Sequence, residues 1–154
     1  MARRASKTAL YEAIEGLQRL VDAFEHRRRQ LARGAGLSDE QWRVLEDIAG
    51  DDFMPTLFAR RRERHAAAVS RTLRDLLDRG LVRVSISRSD ARQRKYALTA
   101  QGGRVMAQLR ARRERAIEAV WRDLAAEQIE AFAHFSASLA DRLEAYSRSS
   151  EGAR

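Results

Sequence analysis

The chain has 154 residues, 44% of them hydrophobic, with 30 Lys+Arg against 22 Asp+Glu and a formal net charge of +8. At about 100–200 residues per domain this predicts a single domain over 1–154, and the apolar content excludes wholesale disorder. The absence of cysteine excludes disulfides and thiolate metal sites, and with no apolar run of about 18 residues no membrane-spanning helix is expected.

Nearly all the positive charge is arginine; only Lys7 and Lys95 are lysines. A basic surplus favours a polyanionic partner, because binding releases condensed counterions; the competing reading is an arginine-rich solvated surface. The start, Met1-Ala2-Arg3-Arg4, is basic but no apolar signal core follows, so a cytoplasmic protein is expected. A single proline, Pro55, and few glycines suit a mainly helical chain.

In chain order, Leu10, Ile14, Leu17, Val21 and Phe24 recur at three and four residues, predicting a helix from about Ser6 to Arg33 that Gly34 and Gly36 stop. Ser38 and Gln41 have the spacing of a capping box, opening a short helix with Trp42, Leu45, Ile48 and Ala49 inward; Gly50-Asp51-Asp52 breaks it. A third helix starts near Met54 with Pro55 in its first turn, where a missing N–H costs nothing. It runs through Leu57 and Phe58 into an arginine cluster.

The fourth helix spans about His65 to Arg79, with Ala68, Val69, Leu73, Leu76 and Leu77 buried and Gly80 just past its end. Val82, Val84 and Ile86 alternate as in a strand. A polar turn over Arg88–Arg94 leads to a second strand, Lys95–Leu98. Thr99 caps a fifth helix, about Ala100 to Ala125, and a sixth begins near Ala126 with Ile129, Phe132, Phe135, Leu139, Leu143 and Tyr146 on one side. The fold class is therefore mainly α with a small β-hairpin, a winged helix-turn-helix with long terminal helices. The layout divides the chain into a lobe over 37–99, expected to be the DNA-binding part, and helical regions 6–33 and 100–147, expected to form a dimerisation region or else to pack within one chain.

In a helix-turn-helix the second helix enters the major groove with its amino-terminal residues toward base edges. Here those residues are His65, Ala66, Ala67, Ser70 and Arg71, followed by Arg74. Alanines allow close approach and can touch a thymine methyl, and an arginine can grip guanine O6/N7 or a phosphate. Read alone, this segment is equally an ordinary alanine-rich amphipathic helix. From Arg83 to Lys95 there are five basic residues, among them Arg88, Arg92 and Arg94, against one acid, Asp90. A hairpin projecting arginines suits a minor groove, with Asp90 fixing the turn. The alternative is a charged edge that blocks aggregation.

Leu37-Ser38-Asp39-Glu40-Gln41-Trp42-Arg43-Val44-Leu45 resembles the second-helix motif of the MarR family of regulators. Val69-Ser70-Arg71 with Leu73, Leu76, Leu77 and Arg79-Gly80-Leu81-Val82-Arg83 resembles that family's recognition helix and wing entry. Ser89-Asp90-Ala91-Arg92 followed by Tyr96-Ala97-Leu98-Thr99-Ala100-Gln101-Gly102 resembles its wing signature. The resemblance implies a homodimer with interleaved terminal helices, bound to a palindromic operator on double-stranded DNA. It also implies repression relieved by a small effector, often an aromatic acid. Arg62 and Arg64 depart from the family's pattern, which has apolar residues there. Either this turn is more exposed than usual or its arginines meet an anion, phosphate backbone or a large effector such as a coenzyme A thioester, since burying an unpaired arginine is costly.

The candidate effector-binding residues are Leu17, Phe24, Trp42, Met54 and Phe58, with Arg19, His26 or Arg43 available to a carboxylate. Each aromatic is equally a candidate for plain core. His26, His65 and His134 stand in no metal-ligand spacing, no nucleophile motif occurs, and Gly102-Gly103 falls at a helix start as cap geometry. The chain is therefore expected to be no enzyme and to need no metal or cofactor. An effector-independent architectural DNA-binding protein is the alternative function.

Overall fold

A computed structural model describes residues 5–50, 53–86 and 94–151. Its elements are α1 (Lys7–Gly34), α2 (Asp39–Ala49), α3 (Pro55–Arg61), α4 (Ala66–Asp78), β1 (Val82–Ile86), β2 (Arg94–Leu98), α5 (Ala100–Trp121) and α6 (Ala126–Glu151). They fall into two compact units, Met1–Arg113 and Glu114–Arg154.

Local chemistry sets most boundaries in the first unit. The Ser6 hydroxyl accepts from the Ala9 amide at 3.1 Å and opens α1. The capping box forms as expected: Ser38 Oγ accepts from the Gln41 amide at 3.1 Å, and Gln41 Oε1 accepts from the Ser38 amide at 2.7 Å. Two helices end on left-handed glycines, Gly36 (φ 70°) and Gly80 (φ 67°). In each case the next residue's amide reaches back five positions, Leu37 to Ala32 O and Leu81 to Leu76 O, and both leucines are buried. Gly34, expected as a stop, is instead the last residue of α1, because Gly36 takes the left-handed position.

The core gathers Leu37, Trp42, Val44, Leu45, Ile48, Phe53, Phe58, Val69, Leu73, Leu76, Leu81, Val82, Met106 and Leu109. At about 1.5–3 kcal/mol for each large apolar side chain fully removed from water, Phe58, Leu45, Leu76 and Leu109 dominate it. Phe53 lies edge-on to Tyr96 of β2 with ring centroids 5.8 Å apart, so the hairpin base is tied to this core.

The strands are antiparallel, with Val82 opposite Leu98 and Ile86 opposite Arg94. Arg94, expected in the turn, is thus the first residue of β2. The alternation of Val82, Val84 and Ile86 does not bury one face: Val82 is buried, whereas Ile86 is 70% exposed. Val82, with Tyr96 and Leu98 of β2, meets the core, whereas the far end of the ribbon at Ile86 does not.

At the hairpin's exit, Thr99 caps α5 and also holds the preceding turn. Its hydroxyl accepts from the Gly102 amide at 3.0 Å and donates to Gly80 O at 2.6 Å, while its amide donates to Leu81 O at 3.1 Å. Gly102 is buried against Leu81.

In the second unit α5 ends at Trp121 and α6 begins at Ala126, where Gln128 Oε1 accepts from the Ala125 amide at 3.3 Å. None of its described side chains is buried. Among the described residues no helix is long and apolar enough to cross a membrane.

Candidate nucleic-acid interface

The helix-turn-helix is built from α3 and α4. Pro55 supplies the preset φ at the start of α3, and the buried Phe58 and Ala59 anchor it. Its end is a second kind of stop: Glu63 takes φ 49° without being glycine, and the Arg64 amide reaches Ala59 O at 2.8 Å. His65 occupies the N-cap of α4 with no side-chain cap bond.

Val69, Leu73 and Leu76 turn α4 into the core. Ala66, Ala67, Ser70, Arg71 and Arg74 are all exposed, and their spacing puts them on one continuous face of the helix. His65 is exposed just before them. Arg83 and Arg94 extend the basic character onto the exposed surface of the strands, Arg83 opposite Ala97 near the hairpin's base and Arg94 opposite Ile86 at the far end of the ladder. Arg88, Asp90 and Arg92 lie outside the described residues.

A family model described as "MarR family" matches residues 35–93, which hold α2, α3, α4 and β1. It is to the MarR family that this winged-helix lobe is similar. A search of curated proteins finds no match. The fold is shared with a MarR family transcription regulator known from its crystal structure, at TM-score 0.80 and 16% identity over 92% of this chain and 94% of that one. It is shared with Staphylococcus aureus MarR in complex with salicylate and kanamycin, at TM-score 0.76 and 18% identity over 89% and 93%. It is also shared with S. aureus MepR bound to DNA, at TM-score 0.63 and 17% identity over 91% and 96%.

Two polar clusters brace this lobe, and neither follows from the sequence pattern. In the first, Arg28 of α1 donates from Nε to Asp39 Oδ1 at 2.6 Å and from Nη2 to Glu46 Oε2 at 2.9 Å. Its guanidinium lies 4.1 Å from the Trp42 ring centroid, a stacking worth about 1 kcal/mol. Arg43 Nε donates to the other Asp39 oxygen at 2.7 Å. Burial pushes the Asp39 carboxyl up, but the hydrogen bond and charge of Arg43, with those of Arg28, outweigh it and hold the group below its usual range.

In the second cluster, Arg79 at the end of α4 donates to Gly36 O at 2.8 Å and to Gln41 Oε1 at 3.3 Å. The Gln41 amide nitrogen donates to Asp75. One glutamine thereby serves the cap of α2 and the last turn of α4. The nearest sequence signal was Gln41's place in the capping box, which says nothing of Asp75 or Arg79.

The candidate effector residues are divided by burial. Trp42 and Phe58 are core, Leu17 and Arg43 are half-buried, and Arg19, Phe24, His26 and Met54 are exposed. Arg43 is engaged by Asp39. Arg62 and Arg64 stand on an exposed turn, which resolves how their charge is accommodated. No cluster of three or more His, Cys, Asp or Glu that could hold a metal ion occurs among the described residues.

Proposed function

We propose that this chain is a homodimeric, sequence-specific DNA-binding transcriptional repressor that reads a palindromic operator and releases it on binding a small effector. The observation that carries the reading is the exposed face of α4, where Ala66, Ala67, Ser70, Arg71 and Arg74 leave the helix free to enter a major groove while its other face is held in the core. Arg71 is the base-reading candidate and Arg74 a phosphate ligand. Arg88, Arg92 and Arg94 take the minor groove, with Asp90 shaping the turn. The DNA complex of the similarly folded MepR supports this assignment.

Dimerisation is supported by apolar surface that a lone chain leaves wet. On α1, Leu10, Tyr11, Ile14, Val21 and Phe24 are exposed; on α6, Phe132, Phe135, Leu143 and Tyr146 are. Contiguous apolar stripes of this kind mark protein interfaces, and a second copy presents the same stripes in return.

The effector in this reading is an aromatic acid or its coenzyme A thioester, consistent with the salicylate complex of S. aureus MarR. Phe24 and Met54 offer apolar contact, and Arg19 and His26 meet the carboxylate. The ligand acts only through its different affinities for the DNA-competent and incompetent forms.

Selection of bound duplexes from a random pool tests the core of the proposal: a two-fold symmetric consensus is expected, and recovery of unrelated sequences sinks it. Thermal shift with aryl acids and their thioesters tests the effector. Specific DNA binding with no stabilisation by any of them leaves an architectural protein instead.

A further inference from the structure

The end of α3 and the turn into α4 carry four arginines within five positions, Arg60, Arg61, Arg62 and Arg64, interrupted only by Glu63. All are exposed, and they divide by partner. Arg61 reaches Asp47 of α2 at 3.0 Å, and Arg64 approaches Glu40 of α2 at 3.7 Å. Arg60 and Arg62 have no carboxylate partner among the described residues. The Arg62 guanidinium stands 5.8 Å from the centroid of the buried Phe58 ring, which steadies the base of an otherwise solvent-borne charge.

The backbone under these side chains is not slack. The Glu63 amide bonds to Arg60 O at 3.3 Å and the Arg64 amide to Ala59 O at 2.8 Å. Glu63 holds a left-handed conformation, φ 49°, that costs a non-glycine residue about 1–2 kcal/mol. A strained, hydrogen-bonded backbone on buried Phe58 and Ala59 thus carries two exposed guanidinium groups that have no carboxylate partner among the described residues. They stand immediately before the helix whose exposed face is assigned to the major groove. Exposed arginines in that place suit contacts to the phosphates of a duplex.

We infer that Arg60 and Arg62 form a phosphate clamp that grips the DNA backbone beside the recognition helix. Arg61 and Arg64 serve instead to fasten the turn to α2. The inference rests on the DNA-binding reading above and adds contacts that reading does not require. The clamp contributes affinity without base preference, because phosphate contacts position the protein and carry no sequence information directly.

The test is a salt titration of binding to a mixed-sequence duplex. It compares the unsubstituted protein with Arg60→Ala/Arg62→Ala, with the charge-preserving Arg60→Lys/Arg62→Lys, and with Arg115→Ala/Arg142→Ala, which removes equal charge elsewhere in the sequence. Each lost phosphate contact makes the slope of log K against log salt shallower by about 0.9. The Arg60→Ala/Arg62→Ala slope is therefore expected to fall by about two for each protomer engaged. The lysine pair should recover most of it, and the Arg115→Ala/Arg142→Ala pair should match wild type. Circular dichroism and the melting temperature of the double alanine variant should be unchanged, since both side chains are exposed. A wild-type slope in the Arg60→Ala/Arg62→Ala protein, or an equal fall in the Arg115→Ala/Arg142→Ala pair, overturns the clamp and leaves the DNA-binding reading standing. A wild-type protein that binds no duplex at low salt overturns both.

Discussion

The carbonyl oxygen of Leu81 stands 2.0 Å from where a Cβ on residue 102 would be, so Gly102 is the only residue type that lets α5 start this close to the wing's entry. Its neighbour Gly103 has nothing within 4 Å of the same virtual atom.

Gly102→Ala must therefore displace backbone and is expected to destabilise the protein by about 3 kcal/mol or more. Gly103→Ala, in the same helix turn, should stabilise it by about 0.5–1 kcal/mol through reduced chain entropy. Urea midpoints of the two variants check this; equal effects from both would show that the contact at Leu81 is not the cause.

Glu63 invites the opposite substitution. Glu63→Gly relieves the left-handed strain and is expected to raise stability by about 0.5–1 kcal/mol, net of glycine's larger entropy loss. Thermal melting measures it, and a lowered midpoint would mean that the Glu63 side chain contributes more than its backbone costs.

Asp39 makes stability depend on acidity. Its folded-state carboxyl titrates below its unfolded value, so the ionised form adds stability at pH values above the unfolded range of about 4. That contribution fades as pH falls through the depressed folded value. Asp39→Asn is expected to be less stable than wild type near neutrality, with the gap closing toward about pH 2. Denaturant midpoints across that range supply the measurement; a gap independent of pH would assign the effect to packing.

The exposed apolar stripes are tested by charge. Phe24 is 56% exposed and Phe135 60% exposed, so Phe24→Glu or Phe135→Glu leaves a lone chain folded but places an unpaired carboxylate in a dimer contact. Dimer dissociation constants are expected to rise by at least tenfold, about 1.4 kcal/mol, as read by sedimentation. Unchanged association by both variants would remove these helices from the interface.

Arg71→Ala separates base reading from backbone contact. A loss of about 1–3 kcal/mol confined to one operator position is expected, with relaxed preference there. A uniform loss across sequences would make Arg71 a phosphate ligand. Arg92→Ala should instead weaken all duplexes alike and flatten the salt dependence.

What could be read from the sequence was governed by local chemistry. The Ser38–Gln41 capping box, Gly80 past α4, Thr99 at the head of α5 and the inward row of Val69, Leu73 and Leu76 all follow from spacings within a few residues, and all are seen. Arg28 was missed because its partners lie 11 and 18 positions away on another helix, and nothing in a run of arginines says which one will stack on Trp42. Gly102 was read as cap geometry, since its close approach to Leu81 exists only after the hairpin has folded back. Val84 and Ile86 alternate as a buried face should, but a two-stranded ribbon has no third layer to cover them.

Arg79 fastens the tail of α4 to the corner between α1 and α2, while the end that begins at Ala66 has no such anchor in its side-chain cap. A helix of 13 residues is about 20 Å long, with Val69 near its head seated in the core and Arg79 tying its tail. A tilt of about 5° about either end would move the other by nearly 2 Å, on the order of a hydrogen bond's whole working range. Any reorientation of the exposed face must therefore carry the packing around Val69, Leu73 and Leu76 with it.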